Sequence, residues 1–394
     1  MTLTLKEVWI YKLYKKEYFK KTYYDCIYKT GKSISHSDSL KQTFSWIKQS
    51  FKATGDGGSS AYYTMGHGWK ASYPETTGYL IPTLYAYSRI TGDDEWKRLA
   101  IGAADWLLAI QAKEGGWQGL QVDTTCELRV FNTAMILDGL TAAYLNERDE
   151  KYLVAAKRGL MWAISKIDDD GVIRKNNFEQ GGALDGLTVA CLLKVAILIS
   201  ESERAEIMPR LIHALDAVCR LQTDNGWFNK SNFEESFKDT SLMHFLVYAL
   251  DGLVTSSEIT GNDKYYNVAL KTAAVLLDKF EKNKMLSAFY NADWSTYFDV
   301  NSRRASICVT GYSQLALVFM KIFNKTKNKR YLDAAKRMID TVASIGNIPF
   351  KNKGLCYGLP GSYPVYGNYQ KFKFVNWAAK FHSDSVMMLL SIKE

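Results

Sequence analysis

Apolar residues recur at helical spacing along almost the whole chain, in two kinds of segment. The first kind includes "TGDDEWKRLAIGAADWLL" (91–108), "ERDEKYLVAAKRGLMWAI" (147–164), "TGNDKYYNVALKTAAVLL" (260–277) and "TKNKRYLDAAKRMIDTVA" (326–343). Each begins with a polar turn, places Trp or Tyr near its start and continues with one apolar face. Segments 205–222 and 37–51 follow the same pattern. The second kind is more uniformly apolar, at 77–90, 131–145, 182–199, 241–259, 308–323 and 376–392. A helix apolar around most of its circumference is buried on several sides, whereas an amphipathic one keeps a face in solvent. The two sets alternate. They predict six helical hairpins, apolar partner inside and amphipathic partner outside, closing into an all-α (α/α)6 toroid. Its period of about 55–65 residues is too long for a tetratricopeptide-type solenoid. The toroid is expected over residues 36–394, behind a basic, aromatic, helical extension over 1–35.

Long connections fall in one place in each repeat, after the amphipathic helix and before the next apolar one. The returns, such as "RITGDDEW", are short. Long loops on one face, rich in Gly, aromatics and carboxylates, are where a site is expected.

Composition changes this picture little. At 394 residues, with 47% hydrophobic and 23% charged residues, the chain can bury a large core. The 25 Tyr, 18 Phe and 10 Trp suit sugar platforms and helical cores alike. A net charge of +9 allows an anionic partner, but no RNP-like, zinc-finger or helix-turn-helix pattern points to nucleic acid. The six cysteines are far apart without a CxxC pair, and the N-terminus lacks a signal peptide's apolar core. Both features lead us to expect a cytoplasmic protein with reduced thiols. Five scattered histidines hold no HxxH, HxxxH or HExxH spacing, and "GDGG" (55–58) is too short for a phosphate loop. No metal or cofactor is expected.

The alternating helices, the "TGD"-type turns and the loop signatures "GDGG", "EGGWQ" (114–118) and "DNGWF" (224–228) resemble the six-hairpin glycosidase superfamily. The resemblance covers roughly 36–394. "SYPETTGYLIPTL" (72–84) and "GSYPVYGNY…NWAAKFHSDSVMML" resemble uncharacterised members associated with bacterial surface-polysaccharide biosynthesis. The superfamily includes hydrolases, unsaturated-uronyl hydrolases and polysaccharide lyases, so it implies a carbohydrate substrate without choosing the reaction. Gln111–Trp117 and "QTDNGW" also resemble triterpene-cyclase repeats, but their DxDD motif is absent. "CYGLPG" (356–361) echoes a zinc-binding stretch of lanthionine-synthetase-like toroids whose Cys-His partner motif is missing.

Candidate residues lie at the expected loop face. Glu75 stands at an inner-helix start, where it either caps the helix or faces the bowl, and Thr76 or Thr77 can supply the cap instead. Asp185, one turn into the third inner helix, is either paired or turned into the cavity. His244 is a core histidine or a base. Asp239 and Asp293 are further loop carboxylates. Candidate sugar contacts are His67, Trp69, Tyr73, Trp117, Asn132, Trp227, Tyr312, Tyr363, Asn376, Trp377 and Lys380. Arg303 is a candidate grip for a uronate carboxylate.

The favoured expectation is an enzyme processing a bacterial surface polysaccharide or its precursor by hydrolysis with a carboxylate pair, Glu75 with Asp185, Asp239 or Asp293. One alternative is a polysaccharide lyase or uronyl C5-epimerase in which His244 or a tyrosine removes a proton. The other is a non-catalytic glycan-binding scaffold of an assembly complex. The expected partner is an oligo- or polysaccharide, acidic or lipid-linked. Residues 6–28 mix Lys with Trp and Tyr and offer either a membrane-interface helix or one packed on the toroid's edge.

Overall fold

The computed structural model describes residues 3–27, 29–177, 181–231, 240–297 and 306–392. Two short helices, α1 (Leu5–Ile10) and α2 (Lys16–Cys26), precede the expected ring. The inner helices are α4 (Pro74–Thr91), α6 (Val130–Glu147), α8 (Asp185–Ala196), α10 (Met243–Thr260), α12 (Val309–Thr326) and α14 (Asn376–Ser391). Each packs on the next, and α14 returns to α4, so the ring closes. The outer helices are α3 (His36–Thr54), α5 (Asp94–Ala109), α7 (Glu150–Ile164), α9 (Glu201–Cys219), α11 (Asp263–Asn283) and α13 (Lys329–Gly346). Five hairpins are sequential. The sixth joins the two ends of the ring, α14 packing against α3.

The helix boundaries follow local chemistry. The polar turns expected at the outer-helix starts supply N-caps, with Asp93, Asp149, Asn262 and Asn328 each accepting a backbone N–H in the first turn. Most inner helices lack such a cap and begin directly from extended loop backbone. The inner ring is tight enough to require glycine at its crossings. A Cβ on Gly139 of α6 would lie 2.2 Å from the Gly78 carbonyl oxygen of α4, and one on Gly252 of α10 only 2.1 Å from the Gly186 carbonyl carbon of α8.

The loops above the inner-helix N-termini are tied edge to edge. β1 (Tyr62–Thr64) pairs antiparallel with both β2 (Gly68–Trp69) and β7 (Lys373–Val375), joining the first loop to the last. β3 (Thr240–Leu242) pairs with β4 (Phe289–Asn291), and β5 (Ile307–Cys308) with β6 (Ser362–Tyr363). These short ladders give the loop face a fixed shape.

Candidate active site

A cavity of about 410 Å³ opens among these loops, at the inner-helix N-termini. Tyr62, Tyr73, Glu75, Phe131, His244, Tyr248, Tyr369, Lys373 and Trp377 contribute to its wall. Larger clefts of about 570 and 480 Å³ lie away from this face, one between outer α13 and the C-terminal ends of α12 and α14 and the other between outer α3 and α5, and surface Lys, Arg, Asp and Glu supply their charged groups. The chemistry is concentrated in the smaller one.

Glu75 sits at the second position of α4, after Pro74, and is only 7% exposed. Asn132, at the corresponding end of α6, donates its amide to Glu75 Oε2 at 2.7 Å and to the Tyr73 hydroxyl at 3.1 Å. Tyr73 also hydrogen-bonds the carboxyl group. Burial still dominates. It pushes Glu75 up to about 7, against the lowering effect of the Tyr73 hydrogen bond. Glu75 therefore exists in both protonation states near neutral pH, as a proton donor and acceptor must.

The threonines do not cap α4. Thr77 Oγ1 accepts the Ser59 N–H at 2.9 Å, and Thr76 Oγ1 accepts from Asn376 at 2.8 Å. Both donate back to the Tyr73 carbonyl, so they fasten the first loop onto the helix. Asn376 completes the junction by donating to Ser60 O at 2.9 Å. It is a buried positioning group and does not line the cavity.

His244, in the first turn of α10, reaches the same cavity. Its Nδ1 lies 2.6 Å from Gln314 Oε1, an acceptor, so Nδ1 carries the proton and Nε2 keeps its lone pair. Burial pulls its pKa down to about 4, so the ring is neutral at physiological pH. The ring sits 4.4 Å from Tyr248 and 5.6 Å from Tyr369, centroid to centroid. Burial and neighbouring negative charge push Tyr73, Tyr248 and Tyr369 well above the ordinary phenol value. These tyrosines remain protonated and are poor bases. Trp377 donates its indole N–H to the Tyr369 hydroxyl at 2.9 Å, fixing two rings of the wall.

Lys373 is the cation of the wall among the described residues. Its amine stands 4.5 Å over the Tyr62 ring, and burial followed by repulsion from Lys70 pulls its pKa down. Sequence reasoning missed Lys373, Tyr62, Tyr248 and Phe131. Lys373 and Tyr62 belong to strands whose pairing across the ends of the chain has no local sequence signal. Tyr248 and Phe131 look like ordinary core residues of apolar helices.

Other expected site residues lie elsewhere. Asp185 is buried, accepts from Asn177 at 2.8 Å and lines a separate small cavity of about 70 Å³. Asp293 is exposed and accepts the Ser295 N–H at 2.8 Å, the Asp-in-a-turn role. Trp117 and Trp227 are fully buried structural residues; the Trp117 indole donates to Leu107 O, and Trp227 packs edge-on against Trp294. Tyr312 accepts from the Leu286 N–H at 2.7 Å in the core. Trp69 packs on Trp46 and Tyr63, and His67 is exposed, its ring 6.2 Å from that of Tyr11. Tyr363 is buried beneath the Lys21 amine. Asp239 and Arg303 fall outside the described residues.

Lys380 points into a second cavity of about 370 Å³ enclosed by the inner ring. It pairs with Asp384 at 2.8 Å, beside Lys194–Asp138 and Lys321–Asp251, both at 2.6 Å. The charges alternate and are matched, which fits a structural belt between inner helices. Among the described residues, no cluster of three His, Cys, Asp or Glu side chains has metal-binding geometry.

This arrangement is an (α/α)6 toroid of six helical hairpins with a cavity on its loop face. No family model and no curated protein matches the sequence. Solved structures do match the fold. An unsaturated glucuronyl hydrolase from Bacillus sp. GL1, responsible for glycosaminoglycan degradation, aligns with a TM-score of 0.68 at 13% identity, covering 91% of this chain and 97% of that one. Cellobiose 2-epimerase from Bacillus thermoamylovorans gives 0.66 at 14% identity, covering 88% and 98%. An alpha-amylase from Clostridium perfringens gives 0.61 at 15% identity, covering 89% and 97%. At these identities the likeness is one of fold.

Proposed function

We propose that this protein is a carbohydrate-active enzyme using Glu75 as its acid and neutral His244 as its base. The observation carrying this reading is the joint presence, in one aromatic cavity, of a buried carboxyl group held by Asn132 with no cation beside it among the described residues, its pKa raised by burial, and a histidine with its Nε2 lone pair free of the Gln314 bond. The aromatic walls suit sugar rings. Lys373 suits a uronate carboxylate or another anionic substituent. Fold neighbours acting on saccharides by hydrolysis and by epimerisation support the substrate class.

Proton transfer at a sugar-ring carbon, as in elimination, hydration or epimerisation, fits these groups better than hydrolysis by a carboxylate pair. Among the described residues Glu75 is the cavity's carboxylate, since Asp185 and Asp293 are engaged elsewhere. Paired-carboxylate hydrolysis is the second reading and assigns the other carboxylate to Asp239. The expected setting is a bacterial surface polysaccharide or its precursor, following the resemblance of residues 72–84.

Turnover of uronate-containing oligosaccharides in D2O, followed by NMR, separates these readings. Solvent deuterium appearing at a ring carbon (hydration or epimerisation), or loss of a ring-carbon proton with a new C=C bond and release of the leaving group (elimination), abolished in both Glu75→Gln and His244→Ala, supports proton transfer. Deuterium-free hydrolysis abolished by Asp239→Asn but retained in His244→Ala would overturn it. Glycan binding without turnover would instead establish the scaffold alternative.

A further inference from the structure

The N-terminal segment presents two chemically different faces. Its inner face is fastened to the toroid. Tyr18 shares a 2.7 Å hydroxyl–hydroxyl bond with Tyr63, and Leu13 is buried. Glu17 accepts the backbone N–H groups of Lys351 at 2.6 Å and Asn352 at 2.9 Å. Asp25 accepts from Lys21 and from the Val365 N–H, each at 2.7 Å. Glu7 pairs with Lys371, and the Tyr11 ring lies 4.5 Å from that of Phe372. Gly66 passes so close that a Cβ there would lie 2.8 Å from the Tyr11 carbonyl carbon. Every carboxylate of residues 3–27 is thus turned inward and occupied.

The outer face carries what remains. Leu5, Trp9, Ile10, Tyr14, Phe19, Tyr23 and Ile27 are strongly exposed, Leu5 at 82%, Trp9 at 71% and Phe19 at 60%. Trp9 and Tyr14 gather at 5.5 Å, and Phe19 and Tyr23 stack with rings only 4° from parallel at 6.2 Å. Lys6, Lys15 and Lys16 are exposed among them, with Lys29 beyond α2. Isolated exposed apolar residues are ordinary, but a concentration of them is not.

We infer that this face docks the protein on an anionic lipid surface. Protruding aromatic and aliphatic side chains interleaved with lysines match the headgroup boundary, where rings enter the interface and ammonium groups meet lipid phosphates. The acid-free character of the exposed face supplies the charge complementarity. Because the segment contacts Lys371 and Phe372, just before Lys373 in the chain, docking would bring the cavity's Lys373–Tyr62 wall near the lipid headgroups, where a lipid-linked saccharide would be presented. No described helix is long and apolar enough to cross a membrane. Docking is a property of this surface and stands or falls separately from the chemistry at Glu75.

The test is flotation of the full-length protein with phosphatidylcholine vesicles, with and without roughly 30% phosphatidylglycerol. The protein should float with the anionic vesicles and less so as salt is raised. Binding should fall by about tenfold or more in a Trp9→Ser/Phe19→Ser/Tyr23→Ser variant and in Lys15→Glu/Lys16→Glu. Circular dichroism and melting temperature check that the variants remain folded. No flotation of the wild type, or equal flotation of folded variants, overturns the inference. Self-association that disappears in the aromatic variant, without lipid binding, overturns it in favour of a second copy of the chain.

Discussion

The Asn132 side-chain amide donates to Glu75 Oε2 at 2.7 Å, linking the N-termini of two neighbouring inner helices within the cavity wall. This bond orients a buried carboxyl group without giving it a cation, so the carboxylate charge remains costly. Burial wins over the available donors, and a residue at a helix start acquires the titration behaviour of an acid catalyst.

Glu75 should destabilise the native state at alkaline pH. A carboxyl whose pKa rises on folding holds its proton more tightly in the native protein, so stability falls as pH climbs from about 4.5 to about 7 and then levels. Glu75→Gln keeps the shape of the neutral acid. It should raise stability at pH 8 by about 3 kcal/mol relative to wild type and change little at pH 4. Urea melts at both pH values check this.

The pH profile of kcat/KM should be bell-shaped, with limbs near 4 and 7. The acidic limb is protonation of His244, and the alkaline limb is ionisation of Glu75. His244→Ala should lower kcat/KM by about 10²- to 10⁴-fold and remove the acidic limb. Gln314→Leu frees Nδ1, and its smaller loss should accompany a displaced acidic limb.

Lys373 should govern recognition of an anionic sugar. Lys373→Met should raise KM for a uronate substrate by about 10- to 100-fold with kcat within about threefold. The corresponding methyl ester should distinguish wild type from variant far less. Equal losses with acid and ester would assign Lys373 to packing alone.

Packing of the inner ring is tested at Gly252, which abuts the Gly186 backbone. Backbone cannot yield as a flexible side chain can, so Gly252→Ala should cost about 2–3 kcal/mol. Gly261, beyond the end of the same helix, has open space around its missing Cβ but a left-handed φ of 69°, so alanine there tests strain without a clash. Chemical denaturation compares the two.

Much of the ring was legible because helix burial leaves a direct trace in apolar periodicity. Uniformly apolar 131–145 became inner α6, and one-faced 326–343 became outer α13. Glu75 was legible as an address at the loop face. Its partners were harder to identify. Asp185 and Asp293 resemble Glu75 in sequence context, but one meets Asn177 and the other a local turn. Trp117 and Trp227 occupy Gly-rich loops and yet fold inward as core. Lys373 reaches the cavity through β7 pairing with a strand more than 300 residues earlier, a contact that no local pattern records.

The ionisation of Glu75 is the most direct test of the account. Infrared difference spectra of wild type and Glu75→Gln isolate the carbonyl stretch of its protonated carboxyl group. The account predicts that this band is present at pH 5.5 and disappears with a midpoint near 7. A band already absent at pH 5.5 would make Glu75 an ordinary ionised carboxylate and contradict its assignment as the acid.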